Sequence, residues 1–545
     1  MIDASGAGRW RWLAPLAIAA VAVTLRLWSL SSGLPGINDP DELTFQLGAI
    51  KMLTTASLNP GWFGHPALTT MYGLALSNVL VFVVGYLGGM FEGTQQFIAA
   101  AYDNPTLLML PGRVLMVLCS LGAVLCAGLF AARQWGRAAG LASAGLVAVS
   151  PVFVAWSQVI RSDIVACFMM LLALLSAQRI AAGSTRRRDI ALCALWTALA
   201  IASKWPFAMT ALAGAGALWF ADGAISRPLR DRLAHMLGYG ALTLAFLAVL
   251  FPYLVIDFGT VIRHVAGEAQ VRHLGVPGGT PWWNARWYVS GPILTALGFA
   301  GFALSLLGLG LMAKDNRAAA VITPPLFGFS ILLVVQHLVW ERWALPVFVL
   351  SALLAGAGAQ RLISSVAGQH NRRSAAIALV VGALLIQPAW QTALQNRARN
   401  NDTRQQASAW ARAHFQPGSR VLVEHFAFEV LHEPWTFFFP LGHVGCVNAN
   451  DWMRGKVRYD QVEAGRGNRA NVDYGTLDPA RTNTCQVDYA ILTQYDRYLA
   501  ERSDYPQEVA NYEGLIARGR IVATFRPEPG VSSGPIVRIV AIPVS

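Results

Sequence analysis

Three carboxylates fall within four positions of the segment Asn38-Asp39-Pro40-Asp41-Glu42-Leu43. They follow the first apolar run, Leu13 to Leu30, and so stand at the mouth of a membrane. Charge beside membrane segments is costly and is usually kept for function. Asp41 and Glu42 are adjacent, so their side chains diverge unless the backbone turns. One can then act on a substrate while the other organises the loop. Such a pair suits proton abstraction, cation binding or recognition of a polar head group. A base that activates a hydroxyl must ionise near neutrality and lie within hydrogen-bond reach. Partial burial moves a carboxylate in that direction. A structural role competes with this. Asp39 can cap a helix over 41–57, with Pro40 at its first position and Glu42 three residues after the cap. Carboxylates there also complement the helix dipole. Three acidic groups exceed what one cap requires.

Other polar groups interrupt the apolar runs. Gly64-His65-Pro66 precedes one of them, and His65 suits a phosphate, a carbohydrate hydroxyl or a simple interfacial hydrogen bond. In Arg161-Ser162-Asp163 the two charges can pair and close a helix end. Alternatively, Arg161 holds a phosphate, for which the planar guanidinium is well shaped, while Asp163 orders the site. Lys204-Trp205-Pro206 marks a tight turn whose lysine either snorkels or binds phosphate. The 256–290 loop carries Asp257, Arg263, His264, Glu268, Arg272 and His273, then Trp282, Trp283, Arg286, Trp287 and Tyr288. Aromatic belts are ordinary at an interface, but rings mixed with basic groups also suit a lipid-linked sugar phosphate. Glu341-Arg342-Trp343-Ala344-Leu345-Pro346 adds a charge pair at a span end.

The elements that must position these groups are membrane helices. Of 545 residues, 55% are hydrophobic and 13% charged. Soluble domains carry roughly 25% charged residues. Apolar stretches long enough to span, about 20 residues each, fall near 13–30, 108–132, 139–157, 164–182, 189–205, 206–222, 235–255, 291–312, 318–337, 343–361 and 374–392. A further stretch, 67–88, is read as re-entrant or interfacial. The loops holding Arg133/Arg137, Arg186–Arg188, Arg227/Arg230/Arg232, Lys314/Arg317 and Arg372/Arg373 are then all cytoplasmic, as the positive-inside tendency requires. An uncleaved first span with a cytoplasmic N-terminus completes this arrangement. Asp41, Glu42, His65, Arg161, Asp163, Lys204, Arg272, Glu341 and Arg342 all collect on the opposite side. The net charge of +12 follows from the basic loops and does not indicate nucleic-acid binding. The expectation is a polytopic α-helical membrane protein with about eleven spans over 1–392, in a plasma (inner) membrane.

Beyond residue 393 the composition turns polar. Val421–Val423, Asp488–Leu492, Ile521–Phe525 and Ile536–Val540 read as strands. Ser408–Phe415 reads as a helix end and Tyr505–Arg518 as a helix. A soluble, extracytoplasmic α/β domain over 393–545 is expected. No phosphate loop or dinucleotide fingerprint opens its helices. Cys446 and Cys485 lie within it and can form a disulfide on that side of a membrane. Cys119, Cys126, Cys167 and Cys193 fall in apolar spans and read as packing residues.

The order Asp41-Glu42, Gly64-His65-Pro66, Arg161-Ser162-Asp163, Lys204 and Glu341–Pro346, on this hydropathy pattern, resembles the membrane-embedded GT-C glycosyltransferases. The resemblance is specifically to the family 39 group, which includes protein O-mannosyltransferases and lipid A aminoarabinose transferases. The resemblance runs over most of the membrane half. It implies inverting transfer of a sugar from a polyprenyl-phosphate donor to an extracytoplasmic glycan, lipid or protein. It implies Asp41 as catalytic base with Glu42 in support. It also implies Arg161, Lys204 and Arg342 as phosphate contacts, with His65 and Asp163 in secondary roles. Arg272 and Glu341 join the candidate substrate-binding residues. Ala67 follows the His-Pro pair where the family often has a second proline. The short 256–290 loop lacks the large lumenal insert of the mannosyltransferases, which argues against protein mannosylation. A divalent metal assists some relatives, but one Asp-Glu pair does not define a site for it. The competing expectation is a transporter or flippase of a lipid-linked or anionic solute. Charges gathered on one face, without repeated halves, favour the enzyme.

Overall fold

A computed structural model describes residues 6–64, 67–268, 273–366, 370–424, 428–449, 451 and 472–543. His65 and Arg272 lie outside the described residues. The membrane half opens with α1 (Gly6–Leu27), α2 (Pro40–Thr55), α3 (Leu68–Leu87), α4 (Thr94–Asp103) and α5 (Thr106–Trp135). It continues with α6 (Arg137–Val149), α7 (Pro151–Ser157), α8 (Ser162–Ala181), α9 (Arg187–Ser203) and α10 (Ala211–Trp219). Long helices then run Leu229–Leu250, Leu294–Leu311, Asn316–Val334, Leu345–Val366 and His370–Arg399. Among the described residues, eight helices are long and apolar enough to cross a membrane, or nine if α6 and α7 form one bent span. The expected span at 13–30 is the apolar part of α1, Trp12–Leu27, that at 189–205 is the 17-residue α9, and that at 206–222 is a 3₁₀ turn, Trp205–Thr210, running into α10.

Local chemistry sets several boundaries. Asp39 caps α2 by accepting from Asp41 N at 3.1 Å, with Pro40 in the first turn. Ser150-Pro151 separates α6 from α7 at a 57° bend, because proline cannot continue the hydrogen-bond ladder. That bend frees carbonyls inside the bundle. The buried Arg26 of α1 takes up Val147 O at 3.0 Å and Ala148 O at 2.8 Å, and its Nε donates to Ser120 at 2.7 Å. A guanidinium among apolar helices is tolerated because its donors are occupied. Small residues permit close helix approach. A Cβ on Gly308 or Gly358 would strike the backbone of Leu354 or Leu304.

α3 qualifies as a span by length and composition. Packing constrains its path. Arg26 of α1 meets Ser120 of α5, and Leu30 O accepts from Arg113 Nη1 at 2.8 Å. The two helices are therefore antiparallel, and α5 starts on the face where α1 ends. Residues 31–105 make no net crossing. Thr69 at the start of α3 also meets Ser203 at the end of α9 on this face.

The last long helix continues past residue 393 to Arg399 without a break. Its polar residues are buried against α1, α6 and α7. Asn396 Nδ2 donates to Leu25 O at 2.7 Å, Thr392 to Val149 O at 2.6 Å and Arg399 to Ala155 O at 2.8 Å. The composition change at 393 is thus a helix ending in polar contacts, and the sheet unit begins after it. Among the described residues six strands follow: β1 (Arg420–Val423), β2 (Thr436–Leu441), β3 (Gly445–Asn448), β4 (Tyr489–Leu492), β5 (Arg520–Phe525) and β6 (Val537–Ala541). Their order is β3-β2-β1-β4-β6-β5, with β1 parallel to β2 and β4 and the other pairs antiparallel. Strand alternation sends Val421 and Val423 to a core with Ala407, Ala411 and Ile539. Leu422 faces a second core with Val509, Tyr512 and Leu515 of the helix Pro506–Ala517. β2 and β3 are additional to the four expected strands. Pro440 interrupts the apolar run in β2, and β3 has only four residues. Cys446 on β3 is bonded to Cys485.

Candidate active site

The N-terminus of α8 draws the carboxylates together. Arg161 immediately precedes that helix with extended backbone, which aims its guanidinium back at the α2 entrance. Its Nη2 donates to both oxygens of Asp39, at 2.7 and 2.8 Å, and its Nη1 pairs with Asp41 Oδ2. Asp39 is therefore both cap and ion-pair partner. Asp41 keeps 38% of its side chain exposed. It is the carboxylate of the cluster most open to a bound molecule.

Glu42 points the other way. It is fully buried and bidentate with Arg113, at 2.8 and 2.7 Å, and also accepts from Ile160 N at 2.8 Å. Arg113 in turn holds Leu30 O and Ser32 O, each at 2.8 Å. This network ties α2 to α5, to the end of α1 and to the turn before α8. The sequence grouped Glu42 with Asp41 as catalytic; its oxygens are instead engaged inside the protein, away from any opening. Adjacent residues in a helix project about 100° apart, so the two could not share one face.

Beyond Arg161, a small pocket is lined by Phe45, Arg161, Ser162, Asp163, Lys204 and Arg342. Lys204 Nζ meets Asp163 at 2.5 Å across the α8–α9 ends. Arg342 is only 7% exposed and, among the described residues, has no ion-pair partner. Its Nε is buried without a hydrogen-bond acceptor among them. Its charge rests on aromatic faces, 4.4 Å from the Trp340 ring centre and 5.8 Å from that of Trp156. Arg161 lies 5.6 Å over the same Trp156 ring. Glu341 is exposed and does not line this pocket.

The site thus brings together Asp41, Arg161, Asp163, Lys204 and Arg342 as expected from sequence, and leaves out Glu341. Arg113, Trp156 and Trp340 were not singled out by sequence. An arginine inside the apolar run 108–132 was the available signal for Arg113. From the 256–290 loop, His264 stacks on Trp62 at 4.2 Å and accepts from Phe63 N at 3.2 Å. Burial and the neighbouring Arg263 push its pKa down. Glu268 accepts from Trp62 Nε1 at 3.0 Å. His273 meets Trp340 edge-on at 5.1 Å.

The donor set does not fit a divalent metal. Asp39 and Asp41 face Arg161, and Glu42 faces Arg113. Among the described residues, no three His, Cys, Asp or Glu side chains converge as ligands.

The family model for dolichyl-phosphate-mannose-protein mannosyltransferases matches residues 106–256. The fold is similar to that of ArnT from Cupriavidus metallidurans in the apo state, with a TM-score of 0.51 at 14% identity over 98% of each chain. The same protein bound to undecaprenyl phosphate matches with a TM-score of 0.51 at 13% identity, covering 99% of this chain and 98% of that one. The chain has the GT-C glycosyltransferase fold. An oligosaccharyltransferase of Archaeoglobus fulgidus tethered to an acceptor peptide shares this GT-C fold, with a TM-score of 0.52 at 10% identity over 97% of this chain and 74% of that one. No curated protein matches the chain by sequence. The GT-C fold and its apolar helices make this a multi-span membrane protein.

Proposed function

We propose that the chain is an inverting glycosyltransferase that moves a sugar from a polyprenyl-phosphate donor to an extracytoplasmic acceptor. The observation that carries this reading is Arg342. A buried guanidinium whose Nε is unfilled and which makes no close ion pair among the described residues, with Asp163, Asp41 and Asp39 acting on it only from farther off, suits an anion. Lys204 stands beside it in the same pocket. Developing charge on a phosphate leaving group is stabilised by such preorganised cations. A phosphate leaves without a strong general acid. Asp41, exposed at the edge of the cluster, takes the acceptor proton as the acceptor oxygen attacks the sugar carbon. Arg161 fixes the orientation of Asp41. Asp163 holds Lys204 toward the pocket. Glu42 and Arg113 position the loop that carries Asp41. The basic loops lie on the cytoplasmic side, which puts the site and the C-terminal unit outside.

The test compares cells carrying wild type, Asp41→Asn, Arg342→Ala and a deletion. Asp41→Asn is expected to match the deletion, with one sugar lost from the envelope and its polyprenyl-phosphate donor accumulated. Purified Asp41→Asn still retains undecaprenyl phosphate, whereas Arg342→Ala loses it. Wild-type glycans in the Asp41→Asn strain would remove Asp41 as the base. Retention of undecaprenyl phosphate by Arg342→Ala would remove the phosphate seat.

A further inference from the structure

Asn38 opens the turn that carries Asp39 and Asp41, and the side chains that grip it come from the far end of the chain. The first helix after the membrane half, Thr403–His414, supplies them from its opening turn. Asn38 Nδ2 donates to Gln405 Oε1 and Gln405 Nε2 donates to Asn38 Oδ1, each at 3.0 Å. Arg404 Nη1 donates to Asn38 O at 2.7 Å. One helix turn thus occupies both the side chain and the carbonyl of Asn38. The peptide unit is planar, so fixing that carbonyl fixes the plane through which the chain enters Asp39.

Arg404 is itself fixed. Its Nε and Nη2 fork onto the two oxygens of Asp402, at 2.8 and 2.9 Å, which leaves Nη1 for the turn. Asp402 caps the same helix by accepting from Arg404 N at 3.0 Å, and it also accepts from Ser533 Oγ at 3.0 Å. Thr403 N donates to Ser533 O at 2.9 Å and its hydroxyl to Pro535 O at 2.7 Å, so the helix start is tied to the segment that leads into β6. The turn being gripped is strained. Ile37 is buried with a φ of 52°, in the left-handed region that a β-branched residue rarely adopts. Such a conformation persists only where its surroundings enforce it. Gly33, with a φ of 74°, makes room for that enforcement, because a Cβ there would strike Asn38 Cγ.

We propose that Arg404 and Gln405 are positioning residues for the base: by holding Asn38 they set the pose in which Asp39 and Asp41 meet Arg161. This rests on the transferase reading above, in which Asp41 takes the acceptor proton. Arg161 holds the two aspartates by their side chains, and Arg113 holds Glu42 behind them. Arg404 and Gln405 hold the chain ahead of them. With that grip released, the pair to Arg161 still forms, but the turn relaxes and carries Asp41 out of line. A misplacement of about 1 Å at a reacting group costs on the order of a hundredfold in rate. Among the described residues, the pocket of Lys204 and Arg342 is lined by neither Arg404 nor Gln405. The C-terminal unit therefore governs the base and leaves the phosphate seat alone.

The test places Gln405→Ala, Arg404→Ala, Arg404→Lys and Asn38→Ala in the deletion strain and measures, per molecule of protein in the membrane, the envelope sugar that the deletion loses. The purified full-length proteins in lipid nanodiscs are compared for melting temperature, retention of radiolabelled undecaprenyl phosphate and hydrogen exchange. Gln405→Ala and Arg404→Ala are expected to lower transfer by about tenfold or more. Melting temperature and undecaprenyl phosphate retention stay at the wild-type level. Exchange quickens over Asp39–Phe45 and is unchanged over Tyr489–Leu492. Arg404→Lys, which keeps a donor for Asn38 O, recovers most of the transfer. Asn38→Ala combined with Gln405→Ala loses no more than the worse single variant, because both act through one contact. Transfer within about twofold of wild type in both alanine variants overturns the positioning role. So does unchanged exchange over Asp39–Phe45. A loss of transfer matched by loss of undecaprenyl phosphate and of protection over Tyr489–Leu492 overturns it too, since the contact would then serve only to dock the two halves. A deletion that loses no sugar overturns the transferase reading instead, and exchange over Asp39–Phe45 alone then decides whether Arg404 and Gln405 hold the turn.

Discussion

The residues of the cluster divide by what surrounds each carboxylate. Asp41 and Glu42 are neighbours in sequence, yet one is partly open and the other fully enclosed by Arg113 and Ile160 N. This separation makes a prediction that catalytic and positioning roles do not share. Glu42→Gln leaves the Arg113 guanidinium buried without its counter-charge. Breaking one side of such a pair costs roughly 3–5 kcal/mol. The expected result is a lower melting temperature and poor recovery from the membrane, with donor binding lost only in step with folding. Adding Arg113→Met to Glu42→Gln should recover much of the melting temperature. A Glu42→Gln protein that melts like wild type but fails to transfer would instead return Glu42 to the chemistry.

At the scale of elements, polar side chains satisfy what the helices leave open. The α6–α7 break at Pro151 is stabilised from outside by Arg26 of α1. Arg26→Leu strands two carbonyls and the Ser120 hydroxyl in an apolar interior, at about 1–3 kcal/mol for each unsatisfied group. The expected outcome is a lower melting temperature with the same oligomer profile. An unchanged melting temperature would mean that the bend supports itself.

The sheet unit stores a pH dependence. Asp473 accepts from Thr476 N at 3.0 Å and Tyr498 at 2.9 Å, close to the buried Glu424, which Tyr512 and Thr493 contact. Burial, reinforced by Glu424, pushes Asp473 up to about 8. Burial raises Glu424 as well. In the unfolded chain an aspartate ionises near roughly 3.9. A raised folded value means that the stability is complete below about pH 4 and is lost progressively as pH rises to about 8. Asp473→Asn removes that slope. Hydrogen exchange of Tyr489–Leu492 in the full-length protein should slow in the variant at pH 8 and change little at pH 4. Equal exchange at pH 8 would mean that Asp473 is already ionised in the folded state.

The whole molecule gathers its polar ends on one face. The start of α8, the end of α9, the 273–279 loop and the turn before Leu345 meet there, beneath the sheet unit. The absence of a net crossing over 31–105 preserves this arrangement. A reporter fused after Ser545 is expected to be extracytoplasmic. A cytoplasmic reporter would invert the topology and put the site on the wrong side for the proposed acceptor.

Apolar runs, basic loops and the spacing of Asp41, Arg161, Lys204 and Arg342 were legible in the chain because hydropathy, loop charge and local capping are properties of nearby residues. The cap at Asp39, the stop at Pro151 and the strands at 421, 489, 521 and 537 follow from the same local rules. Which charge meets which is set by the packing of whole helices. Arg113 reaches Glu42 across 71 positions, Arg161 reaches Asp39 across 122, and Glu501 reaches Gly275 across 226. No local pattern encodes such pairings, because they depend on how whole helices pack. The same packing enclosed Glu42, left Arg342 without a close ion pair among the described residues and opened a cleft at the seam of two units.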